Sequence, residues 1–240
     1  MRYSIGFDRE IKIEWLDEII KVTESDLDNR ALMQHMNEYF THKGLKGDVI
    51  RKTTYVIKKI WFSTPKQFIK TRNEALRLYS QSNDEDKLWL HWGMVLLVYP
   101  FFRDIADIIG MLSTLQSEIS TEQIRRRFIE RRGNRTSALR ALYRVIQTMV
   151  WWEVLEDSNK KGVYRFPAKI TTSDRNIQQW YISTLILTSD AKMMFLDQLF
   201  NSTVAFPFKM TIDPYELKSS DQLSFHIEGS GTEMISYKKV

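Results

Sequence analysis

The sequence predicts a mainly α protein in three parts: an N-terminal helical bundle (1–100), a central winged helix-turn-helix (101–170) and a small α+β C-terminal subdomain (171–240). Three observations carry this. Apolar residues recur at helical spacing through the first hundred positions. Ser120 to Pro167 then runs as a basic helix, a Gly-Asn turn, a second basic helix and a Gly-containing hairpin. Beyond Thr171, capped helices give way to short strand-like pieces.

Glu10 to Val22 places Ile11, Trp15, Leu16, Ile19 and Ile20 on one helical face, and Ser25-Asp26 offers the N-cap of a second helix reaching Phe40. Asp48 to Phe62 alternates Val49, Val56, Ile57, Ile60 and Trp61 with Arg51, Lys52, Lys58 and Lys59, which predicts an amphipathic helix with a basic outer face. Thr64-Pro65 restarts the chain as another helix with Pro at its first position, where a missing N–H costs nothing. Ser82-Asn83-Asp84 caps an apolar helix from Glu85 to Tyr99, which Pro100 limits. Phe101 to Leu115 supplies the next helix, the scaffolding one of a helix-turn-helix.

Ser120-Thr121-Glu122-Gln123 matches a capping box, and the helix it opens ends at Gly133-Asn134. Thr136 or Ser137 caps the helix that follows. Its apolar set is Leu139, Leu142, Tyr143, Ile146, Met149 and Val150, which leaves Thr136, Arg140, Arg144 and Gln147 on the opposite side. Trp151 to Leu155 and Val163 to Phe166 have strand composition and flank a turn carrying Lys160 and Lys161. In the C-terminal part Ser173-Asp174 caps a helix to about Leu187, and Ser189-Asp190 caps another to about Asn201. Strands are predicted at Phe206 to Ile212, Leu223 to Glu228 and Met234 to Lys238, with Gly229-Ser230-Gly231 turning between the last two.

The charge is concentrated. Thr121 to Lys169 holds 12 Lys or Arg against 5 acids, a net of +7 in a chain whose total is +5. A basic block in an otherwise slightly acidic chain is an electrostatic footprint for a polyanion. The polar face of the second helix has the chemistry to read duplex DNA: Arg donates two hydrogen bonds to guanine, Gln pairs with adenine, and hydroxyls at the helix start hold a phosphate. The predicted contacts are Arg140, Arg144 and Gln147 in the groove. Arg125, Arg126, Arg135, Thr136, Ser137, Lys160 and Lys161 follow along the phosphates.

Other chemistries lack their residues. With no cysteine there is no disulfide framework or thiolate site. Glycines do not form a Gly-Lys-Ser/Thr phosphate loop, and His35, His42, His91 and His226 show no metal-ligand spacing. His91, inside the apolar helix, reads as a core histidine. Leu88 to Phe102 meets Arg103 after 15 residues, short of the roughly 20 a membrane span needs. The first twenty residues lack the pattern of a secretory signal, so a cytoplasmic location is expected. The triplet Glu216-Leu217-Lys218 is half of a metal-dependent nuclease pattern, with Asp190 or Asp213 as candidate upstream acids. This is the weaker alternative, since such triplets are common by chance. No catalytic residue, metal or cofactor is predicted.

The apolar run from Leu88-Trp89-Leu90-His91-Trp92-Gly93-Met94 to Tyr99-Pro100, preceded by helices, is followed by Thr136-Ser137-Ala138-Leu139-Arg140 leading to Trp151-Trp152-Glu153-Val154-Leu155 and a Gly-containing hairpin. This layout, covering roughly Tyr3 to Phe166, resembles the small A component of BREX phage-exclusion systems. The tail from Thr171 extends beyond it. The resemblance implies a cytoplasmic, non-catalytic DNA-binding protein encoded with phage-defence genes, with protein partners in a defence complex and self-association as further expectations. Sequence reasoning therefore predicts a double-stranded-DNA-binding winged-helix protein. An assembly or adaptor protein using the same module as a protein interface is the second alternative.

Overall fold

The computed structural model of the chain describes residues 5–25, 27–189, 191, 193–218, 220, 222–228 and 232–238. Among these, helices dominate, and two small antiparallel sheets lie at the centre and end of the chain. Buried residues from all three predicted parts join in one hydrophobic cluster.

α1 (Ile13–Glu24) buries Trp15, Leu16, Ile19, Ile20 and Val22. α2 (Asn29–His42) is capped by Asp28, whose carboxylate accepts the Ala31 N–H at 2.8 Å. The cap expected at Ser25-Asp26 is therefore corrected: the Ser25 hydroxyl donates to the Lys21 carbonyl and closes α1, and Asp26 lies outside the described residues. α3 (Asp48–Trp61) has the predicted basic outer face, with Asp48 paired to Arg51 and Lys52. Pro65 precedes a short 3-10 turn, Lys66–Phe68, so it does not open α4 (Ile69–Tyr79) as expected.

α5 (Asp84–Val98), capped by Asn83, is buried at every position from Leu88 to Val98. A helix apolar on all sides belongs in the interior, and no helix among the described residues is long and apolar enough to cross a membrane. His91 is fully buried in it, with Nε2 2.9 Å from Asp17 Oδ1, and the Tyr79 hydroxyl donates to the same oxygen at 2.6 Å. Burial pushes the Asp17 carboxyl up, but its hydrogen bonds to His91 and Tyr79 outweigh this and hold it below the ordinary value. α6 (Pro100–Ser113) starts on Pro100 itself.

α6 leads into β1 (Glu118–Ser120), α7 (Thr121–Arg132), α8 (Thr136–Trp151), β2 (Glu156–Asp157) and β3 (Val163–Arg165). The strands form an antiparallel sheet in the order β1-β3-β2, with Ile119 opposite Tyr164 and Glu156 opposite Arg165. β1 escaped sequence reading because a three-residue strand is defined by its partner, not by a pattern of its own. The capping box is present: Ser120 Oγ accepts the Gln123 N–H at 3.2 Å while the Gln123 side chain accepts the Ser120 N–H at 2.8 Å.

Two expectations in this region are corrected. Neither Thr136 nor Ser137 caps α8; Arg135 occupies the N-cap without a side-chain bond, and its carbonyl accepts the Leu139 N–H at 2.9 Å. Helical phase decides this, since Ala138, Ala141 and Leu142 must all face the core. Trp151 to Leu155 is not a strand. α8 runs through Trp151, and Glu153 at φ 56° lets the N–H groups of Val154 and Leu155 both turn back to the Met149 carbonyl. Burial of Trp152, Val154 and Leu155, with the Trp152 indole N–H donating to the Ile11 carbonyl, outweighs their strand propensity.

α9 (Arg175–Thr188) is capped by Asp174, as predicted. The helix expected after Ser189-Asp190 is replaced by β4 (Met193–Phe195) and the short α10 (Leu196–Phe200); Asp190 lies outside the described residues. Phe206 to Ile212 forms no strand. Its one ladder contact is a parallel bridge between Phe208 and Ile170, and Phe206, Phe208 and Ile212 serve as core plugs. After α11 (Pro214–Leu217), β5 (Leu223–Glu228) and β6 (Thr232–Tyr237) pair with β4 in the order β4-β6-β5. Residues 229–231, the predicted turn, lie outside the described set. The turn at Thr203 is pressed against α6, where Gly110 leaves room for its backbone.

Candidate nucleic-acid interface

α8 is held by its buried face, Ala138, Ala141, Leu142, Val145, Ile146 and Met149. The same helical phase turns Thr136, Ser137, Arg140, Tyr143 and Arg144 outward, with Gln147 half-buried between them. Tyr143, expected on the apolar side, is instead turned outward and 43% exposed. An open groove of about 560 Å³ runs along this face, lined by Ser137, Arg140, Arg144 and Gln147 from α8, by Thr121 and Tyr164, and by Asp8, Arg9 and Glu10 across from them.

The cations do not stand alike. Arg140, Arg135, Lys160 and Lys161 are exposed and have no ion-pair partner among the described residues. Arg144 is ion-paired to Glu10. Arg125 pairs with Glu122 at 3.0 Å, and Arg126 lies 4.0 Å from Glu130. Two further arginines of the basic block are structural staples: Arg131 bonds Asp107 at 2.6 Å, and Arg132 grips both oxygens of Asp104 at 2.7 and 2.9 Å. Both acids lie on α6, so these pairs clamp α7 to α6.

The hairpin is tied to the start of α7. The Thr121 N–H and hydroxyl both donate to the Gly162 carbonyl, at 2.8 and 3.0 Å, and Gly162 adopts φ 71°. Gly is favoured there because a Cβ in that left-handed conformation is strained. This fixes the position of the loop bearing Lys160 and Lys161.

Predicted residues thus fall into groups. Ser137, Arg140, Arg144 and Gln147 share the groove, Arg135 and Thr136 sit exposed at the start of α8, and Lys160 and Lys161 occupy the hairpin turn. Arg125 and Arg126 do not line the groove. Sequence reasoning missed its opposite wall, Asp8-Arg9-Glu10, for which no local signal existed: Glu10 and Arg144 are 134 positions apart.

The nuclease triplet is dispersed into ion pairs, Glu216 with Arg175 and Lys218 with Glu233. Among the described residues, no three His, Asp or Glu side chains gather where a metal could be held. Comparison with known protein families, curated proteins and solved structures gives no match for this chain.

Proposed function

We infer that the protein is a cytoplasmic, non-catalytic, double-stranded-DNA-binding protein, and that α6 to β3 is a winged helix. The observation that carries this reading is the outward face of α8: Ser137, Arg140, Arg144 and Gln147 line one open groove. Beside it stands a hairpin whose lysines are exposed and whose turn is bonded at Gly162 to Thr121. Three helices and a sheet ordered β1-β3-β2 suit a helix-turn-helix with one wing. Such modules lay their last helix in the major groove, where a bidentate Arg–guanine pair discriminates by about 1–3 kcal/mol.

The phage-defence setting comes from the resemblance of the N-terminal helices, the Leu88 to Pro100 run and the Thr136 to Leu155 segment with the Gly-containing hairpin that follows. The test of binding is fluorescence anisotropy with a labelled duplex. Saturable binding is expected at micromolar protein or below, weakened by Arg140→Ala and by Lys160→Gln with Lys161→Gln, at unchanged melting temperature. No binding, or variants that bind as the wild type does, would defeat the reading.

Tyr143 and Trp151, 43% and 47% exposed on α8, favour a second reading in which the helix is a protein interface. Tyr and Trp are enriched at interface centres. Co-purification of a partner that persists after nuclease treatment and is lost with Tyr143→Ser would support it.

A further inference from the structure

We propose that Glu10 is a positioning and selectivity-setting residue of the α8 groove: it engages Arg144 in place of a phosphate and directs that guanidinium to a base edge. This rests on the DNA-binding reading and deepens it.

The segment bearing Glu10 is a fixed wall. Phe7 and Ile11, on either side of Asp8-Arg9-Glu10, are fully buried. The Phe7 ring packs against Tyr99 at 5.3 Å and Phe102 at 5.1 Å. The Ile11 N–H donates to Thr148 Oγ1 at 3.0 Å, and the Ile11 carbonyl accepts from Trp152 Nε1 at 2.9 Å, so both bonds reach α8 or its cap. A segment held at both ends cannot swing aside to admit ligand. The backbone therefore keeps Asp8 and Glu10 beside the groove when a polyanion approaches.

Three arginines face two carboxylates in the groove, Arg9, Arg140 and Arg144 against Asp8 and Glu10. The wall, with a net charge of −1 against the +2 of Arg140 and Arg144, thus cancels about half of the attraction that α8 would otherwise exert on any phosphate. Sequence-independent affinity scales with the cations free to replace counterions. A paired Arg144 contributes little to that term. A guanidinium has five N–H donors, and the Glu10 pair uses one nitrogen, Nη1. The remaining donors are free to meet guanine O6 and N7, with the side chain already held in one position. Glu10 therefore lowers binding most where Arg144 would meet only phosphate and least where guanine lies within its reach, and that difference in affinity is selectivity.

The experiment compares wild type, Glu10→Gln and Arg140→Ala on a random-sequence duplex and on duplexes enriched by the wild-type protein from a randomised library, across a salt series. Glu10→Gln should bind the random duplex about 5- to 10-fold tighter near 0.1 M salt, and steepen the log–log salt slope by about 0.9, because one more counterion is displaced. Its preference for the enriched duplexes should fall. If Glu10→Gln does not fold, Asp8→Asn removes the other carboxylate of the wall and should shift affinity in the same direction by less. An equal gain on both duplexes, or no gain while Arg140→Ala still weakens binding, overturns the inference and leaves DNA binding standing. Absence of binding by wild type and every variant removes both.

Discussion

Replacing Gly110 by Ala tests how the central and C-terminal parts are joined. A Cβ at this position of α6 would lie 1.9 Å from the Thr203 carbonyl oxygen, 2.6 Å from its carbon and 3.0 Å from its Cα. Ordinary contact begins near 3.4 Å, so the oxygen is about 1.5 Å too close. The obstacle is backbone and cannot rotate away. Moving it disturbs two anchors, the Thr203 hydroxyl bonded to Asp107 and the Val204 carbonyl that accepts Trp92 Nε1 at 2.9 Å. Helix propensity works the other way, favouring Ala over Gly by about 1 kcal/mol. Overpacking costs roughly 1–3 kcal/mol, and leaving the buried indole N–H unpaired costs about 1–3 kcal/mol more. The balance is a loss of about 3 kcal/mol, read as a lower midpoint in urea denaturation followed by tryptophan fluorescence. In a chain of this size that is roughly a 6–12 °C fall in Tm. An Ala variant as stable as wild type, or more so, would mean that propensity wins and that α6 does not press on this turn.

Four exposed cations of the interface with no ion-pair partner among the described residues, Arg135, Arg140, Lys160 and Lys161, predict a log–log salt slope of duplex binding near −3.6, or about 150-fold between 50 and 200 mM salt; a slope flatter than −2 would refute the count. Arg132→Ala should lower Tm by breaking the clamp to Asp104 yet leave that slope alone, whereas Arg140→Ala should flatten it by about 0.9 with little change in Tm. Asp17 has a depressed folded pKa, so its contribution is fully present above its unfolded value of about 4 and is lost as pH falls through the folded one. Thermal melts from neutral to acid pH should therefore show a shallower acid decline for Asp17→Asn than for wild type. Parallel curves would remove Asp17 from that linkage.

Much of the fold was legible because local physics supplies it. The capping box at Ser120 and Gln123, the Asp174 cap, the Gly133 stop and the apolar Leu88 to Val98 helix with its single His91 are short-range facts that the structure repeats. Two departures share a cause. Residue type points Trp151 to Leu155 and Phe206 to Ile212 to strands, and burial against distant partners decides otherwise, while helical phase turns Tyr143 outward. The site was half legible. Arg140, Arg144 and Gln147 follow from the 3.6-residue period, but the period says nothing of what stands opposite.

The sequence by itself determined most of the helices, the caps at Asn83, Ser120 and Asp174 and the concentration of positive charge from Thr121 to Lys169, since propensity, capping and charge act over a few residues. Only the tertiary structure decided which of those charges are free. It gave Arg131 and Arg132 to Asp107 and Asp104, gave Arg144 to Glu10, and left Arg140 open to the groove. An ion pair depends on distance in space, its energy falling with separation and being screened beyond roughly 10 Å. Partners separated by 134 positions can meet only when the core has closed between them.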